Sequence, residues 1–306
     1  MISFTTILKN DLCQLDNNDT ENRALLSAII RNSSEINQSI NLITENAAVS
    51  RLVFNLMKDI YGVTPKIIVR KGYNFKKSNI YILEINYKTD IIKEDLTILE
   101  NIPKSYLVED EDAKMAYLRG LFLACGSIND PKKSRYHLEF LVDDKDYAKF
   151  LTNLLNDFDL NSKFIKKDNK FMIYVKEAEK IGDFLRVIKA HNAVMYYEDI
   201  RIYRDHKNMT NRLNNCEQAN IDKIVMTATN QVKNIQIIID SGGLDLLDEK
   251  EQVVANYRLK YPESSLQELS EIISLETERK ITKSGIAHRF KKIEELATRI
   301  SKKTKD

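Results

Sequence analysis

The sequence has few of the residues on which several protein classes depend. It contains three cysteines, eight glycines and no tryptophan in 306 residues. Cys13, Cys125 and Cys216 are far apart and form no CxxC pair, so they predict neither a disulfide framework nor a zinc site and indicate a reducing compartment. GxGxxG and GxxxxGK segments are absent, which argues against the common glycine-rich nucleotide-binding loops.

Long hydrophobic runs are missing as well. No apolar run approaches the roughly 18 residues that a membrane-spanning helix needs. The first residues, MISFTTILKNDL, lack the basic start and apolar stretch of a secretory signal. We therefore expect a cytoplasmic protein with no membrane partner. Its composition, 43% hydrophobic and 30% charged, is typical of globular proteins, and its length predicts about two domains.

Charge is distributed unevenly although the whole chain carries only +2. Residues 279–305 contain ten lysines or arginines and two acids, whereas residues 240–278 contain three basic and ten acidic residues. This reversal of sign within one short region predicts a small domain with one basic face, which suits nucleic acid. A solvated helix with a basic tail is the alternative interpretation.

An internal repeat organises the first 205 residues. Two apolar helical patterns, at 22–34 and 114–127, each carry small residues at every fourth position, so that two helices could approach closely along these faces. Each pattern is followed by a strand, an amphipathic helix, two strands and a last helix, at an offset of roughly 92 to 98 residues. We predict one α+β domain over 1–205, with repeats at about 1–105 and 106–205. The small residues are Ala24, Ala28, Ala116, Gly120 and Ala124.

The remainder of the chain has a helical pattern. Apolar residues recur at helical spacing from Met209 to Ile239, which predicts a connecting helix within 206–243, and Gly242 and Gly243 end it. An all-α domain is then predicted for 244–306. Capping signals at Asp248, Ser265 and Thr282 indicate three short helices.

The three short helices and their basic end predict a helix-turn-helix. The last helix would lie in a major groove of double-stranded DNA, with its first turns at the base edges and its lysines at phosphates. The connection from 274 to 281 is longer than the usual turn. A basic helix that packs on a partner protein is the alternative. Candidates for base contact are Lys283, Ser284 and His288, and candidates for phosphate contact are Lys280, Arg289, Lys291 and Lys292.

Several ordered segments resemble the WhiA family over nearly the whole chain. They are YLRGLFLACGSINDP (117–131), IKAHN (188–192), NRLNNCEQAN (211–220), GGL (242–244) and TKSGIAHRFKKIEEL (282–296). The resemblance implies an α+β body of tandem LAGLIDADG homing-endonuclease-like αββαββα repeats forming a saddle, followed by a helix-turn-helix similar to region 4 of sigma factors. It also implies transcription control, with sporulation in some lineages and cell division or chromosome segregation in others, and hence a nucleoid-associated protein with transcription or cell-division partners.

Homing endonucleases raise the alternative of a metal-dependent DNA-cutting enzyme. Those enzymes place an acidic residue at the bottom of each motif helix, and the pair binds divalent metal. Aligning this chain with the motif puts Ser33 and Cys125 at the two acidic positions. A hydroxyl and a thiol cannot replace two carboxylates, so we expect no nuclease activity, no metal and no cofactor.

A third hypothesis is a protein-interaction scaffold that the small domain tethers to DNA. Under this hypothesis a partner protein binds to the sheet of the endonuclease-like body. Basic residues on the predicted strands leave open a DNA-facing groove in the body, although solvated strand edges are the preferred interpretation of them. These residues are Lys66, Arg70, Lys71, Lys163, Lys166 and Lys167.

Overall fold

The computed structural model describes residues 3–71, 79–133 and 135–303. It divides into two compact units, Met1–Arg204 and Asp205–Asp306. The division falls within a long helix. Among the described residues, no helix is both long and apolar enough to span a membrane.

The N-terminal unit contains two αββαββα repeats, preceded by helix α1 (Phe4–Leu12). The fold-class prediction is therefore confirmed. The first repeat consists of α2 (Asp19–Ser33), β1 (Ser34–Ile36), β2 (Ile40–Thr44), α3 (Ala47–Tyr61), β3 (Lys66–Lys71), β4 (Asn79–Ile85) and α4 (Thr89–Asp95). The second consists of α5 (Glu111–Cys125), β5 (Gly126–Ile128), β6 (Leu138–Val142), α6 (Lys145–Asn156), β7 (Lys163–Lys167), β8 (Lys170–Val175) and α7 (Ala178–Val187).

Each repeat forms one antiparallel four-stranded sheet with the same strand order. The orders are β1-β2-β4-β3 and β5-β6-β8-β7. The register also matches between the repeats, because Leu42 pairs with Leu83 in the first sheet and Phe140 pairs with Ile173 in the second. All four side chains are fully buried, so they define the face of each sheet that packs on the core.

Helices α2 and α5 pack together at the centre of this core. A Cβ atom at Gly120 would overlap the carbonyl oxygen of Leu25 and would lie 3.0 Å from Cβ of Ala28. Only glycine allows the two backbones to come this close. Ala24, Ala28 and Ala116 are fully buried beside it. The small residues predicted from the sequence therefore do lie at a close helix contact.

Three elements of the N-terminal unit were not located from the sequence. Strands β1 and β5 have three residues each and follow α2 and α5 without an intervening turn, so neither a turn signal nor an alternating pattern marks them. Helix α1 begins at the cap Ser3, whose hydroxyl accepts the N–H of Thr6. Leu8 and Leu12 of α1 complete the core.

The C-terminal unit is helical throughout its described residues. Its own core contains Ile235 and Ile238 from the C-terminal part of α8 (His191–Asp240) and apolar residues from three shorter helices. The predicted boundary of the small domain at residue 244 would leave these two core isoleucines outside the domain. The shorter helices are α9 (Glu249–Lys260), α10 (Leu266–Thr277) and α11 (Lys283–Lys303).

Two helix boundaries differ from the sequence-based prediction. Helix α8 begins at His191 rather than near residue 208, because a polar stretch with no clear apolar period can still be helical. Helix α10 continues to Thr277, so the connection to α11 is residues 278–282. The predicted long connection from 274 to 281 was therefore wrong.

Candidate nucleic-acid interface

Helices α10 and α11 form a helix-turn-helix whose turn is held by its own side chains. Glu278 adopts a left-handed conformation, with φ of 55°, at the end of α10. The hydroxyl of Ser274 accepts the N–H of Ile281 at 3.0 Å and donates to the carbonyl of Ser270 at 2.6 Å. The hydroxyl of Thr282 then accepts the N–H of Gly285 at 3.2 Å. This arrangement fixes where α11 begins, and the predicted cap at Thr282 is confirmed.

The two predicted capping boxes at the other helices are also present. Asp248 accepts the N–H of Glu251 at 2.8 Å, and Ser265 accepts that of Glu268 at 3.2 Å. In each case the glutamate carboxylate in turn accepts the backbone N–H of the capping residue. Both helix starts therefore satisfy backbone donors that would otherwise be unpaired.

A buried arginine fixes the turn between α9 and α10. Arg258 is 1% exposed, and its guanidinium donates to the carbonyl oxygens of Ser264 at 2.6 Å and Tyr261 at 3.3 Å. It also donates to the side-chain oxygen of Gln231 in α8 at 3.0 Å and lies 5.3 Å from the centre of the Phe290 ring. Burial lowers the pKa of Arg258. The side chain therefore joins α8, the α9–α10 turn and α11.

Helix α11 has a buried face and an exposed face along its length. Ile286, Phe290, Ile293 and Ala297 are buried at helical spacing. The opposite face carries exposed polar side chains, and its first turns present three of the predicted site residues to solvent. These are Ser284, His288 and Lys291.

The remaining predicted site residues lie on the flanks of α11, not on one face. Lys280 and Arg289 line a concavity between α9 and the α10–α11 turn. Lys283 lines a different concavity beside α8 and the start of α10. Lys292 forms an ion pair with Glu251 at 3.1 Å and lies 3.9 Å from Asp248. These two carboxylates partly neutralise Lys292, which makes it the weakest of the phosphate candidates.

Two basic residues that the sequence analysis did not single out share the concavity of Lys280 and Arg289. Arg279 directly precedes Lys280, so the basic run could have included it. Lys250 stands in the first turn of α9, within the acidic segment, and nothing in the local sequence connects it with the basic residues 29 or more positions later.

In the N-terminal unit, the positions aligned with the metal-binding carboxylates of homing endonucleases are Ser33 and Cys125. Ser33 and Cys125 are the last residues of α2 and α5. Burial raises the pKa of the Cys125 thiol to about 11, and the thiol donates to the carbonyl of Leu121 at 3.5 Å. The amine of Lys9 interacts electrostatically with the thiols of Cys125 and Cys13. Asp143 and Lys170 also act electrostatically on this thiol, and they pair with each other. The helix ends themselves therefore supply a hydroxyl and a thiol rather than the carboxylates that a divalent metal such as magnesium prefers.

Nearby acidic residues are already engaged elsewhere. Asp143 pairs with Lys170 at 3.0 Å, Asp144 caps α6 through the N–H of Tyr147, and Asp130 accepts the N–H of Lys132 at 2.9 Å. Within the ranges that the structure describes, no three His, Cys, Asp or Glu side chains converge to hold a metal ion.

The faces of the two sheets that point away from the core carry an apolar row. Because side chains alternate along a strand, pairing places Ile43, Ile82 and Ile68 in one row of the first sheet. Leu141, Met172 and Ile165 form the matching row of the second. Ile43, Leu141 and Ile165 are 38%, 36% and 46% exposed. These positions therefore offer few hydrogen-bonding groups to DNA bases.

The basic strand residues do not all lie on one face of the sheets. Lys66, Arg70, Lys163 and Lys167 share the outer faces with the apolar rows, whereas Lys71 and Lys166 belong to the opposite faces. Lys66 also lies 3.8 Å from Glu84. The register therefore leaves four of the six basic residues on the faces where a groove in the body would lie, interleaved with apolar side chains.

Comparison with protein-family models gives three matches in chain order. The WhiA N-terminal LAGLIDADG-like domain matches residues 19–99, the WhiA LAGLIDADG-like domain matches 114–207, and the WhiA C-terminal HTH domain matches 210–297. A probable cell division protein WhiA from Bacillus cytotoxicus is 40% identical, covering 98% of this chain and 97% of the relative. The chain belongs to the WhiA family.

Two solved WhiA structures have the same fold. Full-length WhiA from Thermatoga maritima is 27% identical to this chain, and the two structures superpose with a TM-score of 0.60. The match covers 97% of this chain and 99% of that one. The N-terminal LAGLIDADG domain of a WhiA protein is 26% identical, with a TM-score of 0.52 over 61% of this chain and 93% of that one. The predicted family and the predicted LAGLIDADG-like and helix-turn-helix parts are thereby confirmed, and the helix-turn-helix supports a DNA-binding regulator.

Proposed function

We propose that this WhiA protein is a sequence-specific DNA-binding transcription regulator linked to cell division and chromosome segregation, associated with the nucleoid. The observation that carries the proposal is the exposed polar face of α11, where Ser284, His288 and Lys291 follow the fixed turn of a helix-turn-helix. The link to cell division rests on the name of the Bacillus relative and on the WhiA resemblance.

Helix α11 would enter the major groove of double-stranded DNA with its first turns. Ser284, His288 and Lys283 have side chains that can hydrogen-bond to base edges. Lys280, Arg289 and Lys291 would contact phosphates on either side, and Lys292 would contribute less because of its ion pair with Glu251. Base contacts supply sequence preference, and phosphate contacts supply most of the affinity and its salt dependence.

The test is binding of the full chain to a randomised pool of DNA duplexes, followed by sequencing of the bound fraction and titration of the enriched duplex. We expect an enriched motif and a dissociation constant that rises steeply with salt concentration. Recovery of no motif, with binding that does not respond to salt, would contradict the proposal.

We also propose that the protein does not cut DNA. Ser33 and Cys125 end the two central helices, and the amine of Lys9 interacts electrostatically with the Cys125 thiol, so the helix ends lack the carboxylate ligands that a divalent cation such as magnesium prefers. Incubation of purified protein with supercoiled and linear DNA in magnesium or manganese should leave both intact. Cleavage that disappears when Asp130 or Asp143 is replaced by alanine would overturn this proposal.

A further inference from the structure

One concavity of the C-terminal unit collects positive charge from three separate parts of the sequence. It lies between one face of α9 and the α10–α11 turn. Lys250 comes from the first turn of α9, Arg279 and Lys280 from the turn, and Arg289 from α11. Val253 and Ile281 add apolar surface, and the amide of Asn256 lies on the same side.

The four basic side chains in this concavity lack acidic partners. Within the described residues, no carboxylate lies within 4.0 Å of any of them, whereas Lys260 pairs with Glu276 at 3.1 Å and Lys292 with Glu251 at the same distance. Lys260 and Lys292 are thus partly neutralised by acidic partners, and these four side chains are not. Like charges that line one concavity repel one another, a cost that binding of an anion offsets.

The shape of the lining favours a phosphodiester strand over a compact anion. Apolar carbon atoms of Val253 and Ile281 suit the sugars of a DNA strand, while the guanidinium groups of Arg279 and Arg289 can each hold a phosphate with two hydrogen bonds. Glu249 supplies the one carboxylate among the described lining residues. Because Glu249 is negative, it opposes the binding of phosphate.

We propose that this concavity binds the phosphates of one DNA strand, with Lys250 and Arg279 as contacts besides Lys280 and Arg289, and with Glu249 as a residue that limits the affinity. The inference rests on the proposed DNA binding and deepens it. Helix α9 thereby becomes part of the DNA-binding surface, and one strand's backbone is held beside α11 while the exposed face of α11 contacts bases.

The test uses the full chain, a fluorescein-labelled duplex, and anisotropy titrations over a series of salt concentrations. Lys250→Gln and Arg279→Gln should each lower the affinity by roughly threefold to tenfold and reduce the slope of log affinity against log salt by about 0.9. Glu249→Gln should raise the affinity by about twofold, because it removes the opposing charge. Lys260→Gln is the matched control on the same helix and should change the affinity by less than about twofold.

The outcomes separate this inference from the function on which it rests. Suppose that the wild-type protein binds DNA, that thermal melts show both variants folded, and that Lys250→Gln and Arg279→Gln keep the wild-type salt slope. This result would overturn the inference alone. Wild-type protein that does not bind DNA would overturn the proposed function as well. Inorganic pyrophosphate is the probe for a compact anion. If it saturates this site while the DNA affinity and salt slope stay unchanged, the assignment to a DNA strand is wrong.

Discussion

The two units differ in what they place at the ends of their most important helices. In the N-terminal unit, α5 ends at Cys125, whose thiol is kept protonated because burial raises its pKa to about 11. In the C-terminal unit, α11 begins after a hydrogen-bonded turn and exposes polar and basic side chains from its first residues. The same chain therefore combines LAGLIDADG-like repeats, whose central helices end in a hydroxyl and a thiol, with a second unit that has exposed hydrogen-bonding groups.

The units also differ in how they arrange their cations. The N-terminal unit distributes lysines over both faces of its sheets, next to apolar rows. The C-terminal unit gathers Lys250, Arg279, Lys280 and Arg289 in one concavity. Since the field that attracts a phosphate depends on convergence of charge and not on the number of lysines, we expect the C-terminal unit to provide most of the DNA affinity.

The largest expected effect is a loss of stability in the N-terminal unit alone. Gly120→Ala forces a methyl group into the carbonyl of Leu25, and we expect it to lower the free energy of unfolding of the N-terminal unit by at least about 3 kcal/mol. Denaturant unfolding followed by circular dichroism measures this. The matched control is Gly285→Ala on α11, where the nearest atom to the new Cβ is the Thr282 hydroxyl at 3.3 Å. A change of less than about 1 kcal/mol for Gly120→Ala would show that α2 and α5 do not pack as described.

The next effect concerns the C-terminal unit. Arg258→Ala leaves the carbonyl groups of Tyr261 and Ser264 without their buried donor, so we expect a loss of about 2 kcal/mol in the free energy of unfolding of this unit. Amide hydrogen exchange of the full chain would report the two units separately. Arg299→Ala, at an exposed position of α11, is the control. If protection falls in the N-terminal unit instead, Arg258 does not have the role that its contacts indicate.

A smaller effect distinguishes the roles along α11. Lys283→Ala and His288→Ala should change the preferred DNA sequence, with a cost of about 1 kcal/mol on the best wild-type site. Lys291→Ala should weaken binding to all duplexes alike and lower the salt slope. Selection from a randomised duplex pool measures both. An unchanged motif in both of the first two variants would show that these side chains do not contact bases.

The smallest effect is a difference between the cysteines in their rates of reaction with a thiol reagent. Cys13 and Cys125 are partly or mostly buried, and burial raises the pKa of Cys13 to about 12 and that of Cys125 to about 11. Thiolate is the reactive form, so a thiol reagent at pH 8 should modify exposed Cys216 first. Raising the pH toward 11 should speed the reaction of Cys125 and destabilise the fold, because ionisation of a buried thiol is unfavourable. Mass spectrometry over time measures the order, and early modification of Cys125 at pH 8 would contradict its burial.

Much of this fold could be predicted because its determinants are local or repeated. The capping boxes at Asp248 and Ser265 lie within four residues of sequence, and the small residues of α2 and α5 recur at a fixed spacing. The exposed stripe of α11 follows from helical periodicity alone. Strands β1 and β5 could not be predicted, because three residues carry no measurable alternation.

The grouping of the basic residues was less predictable because it depends on tertiary contacts. The ion pair of Lys292 with Glu251 requires α9 to pack against α11, and no spacing in the sequence indicates it. Lys250 enters the concavity for the same reason. The separation of Lys71 and Lys166 from the other strand lysines, by contrast, follows from the alternation of side chains once the strands are known.

The central claim, that the C-terminal unit provides the DNA affinity, is tested most directly by two matched double charge reversals in the full chain. One variant carries Lys280→Glu and Lys291→Glu, and the other carries Lys163→Glu and Lys167→Glu on the outer face of the second sheet. Anisotropy titration with the same duplex should show a loss of roughly a hundredfold for the first variant and less than about twofold for the second. A large loss for the second variant with little change for the first would contradict the account and return the DNA-binding surface to the LAGLIDADG-like body.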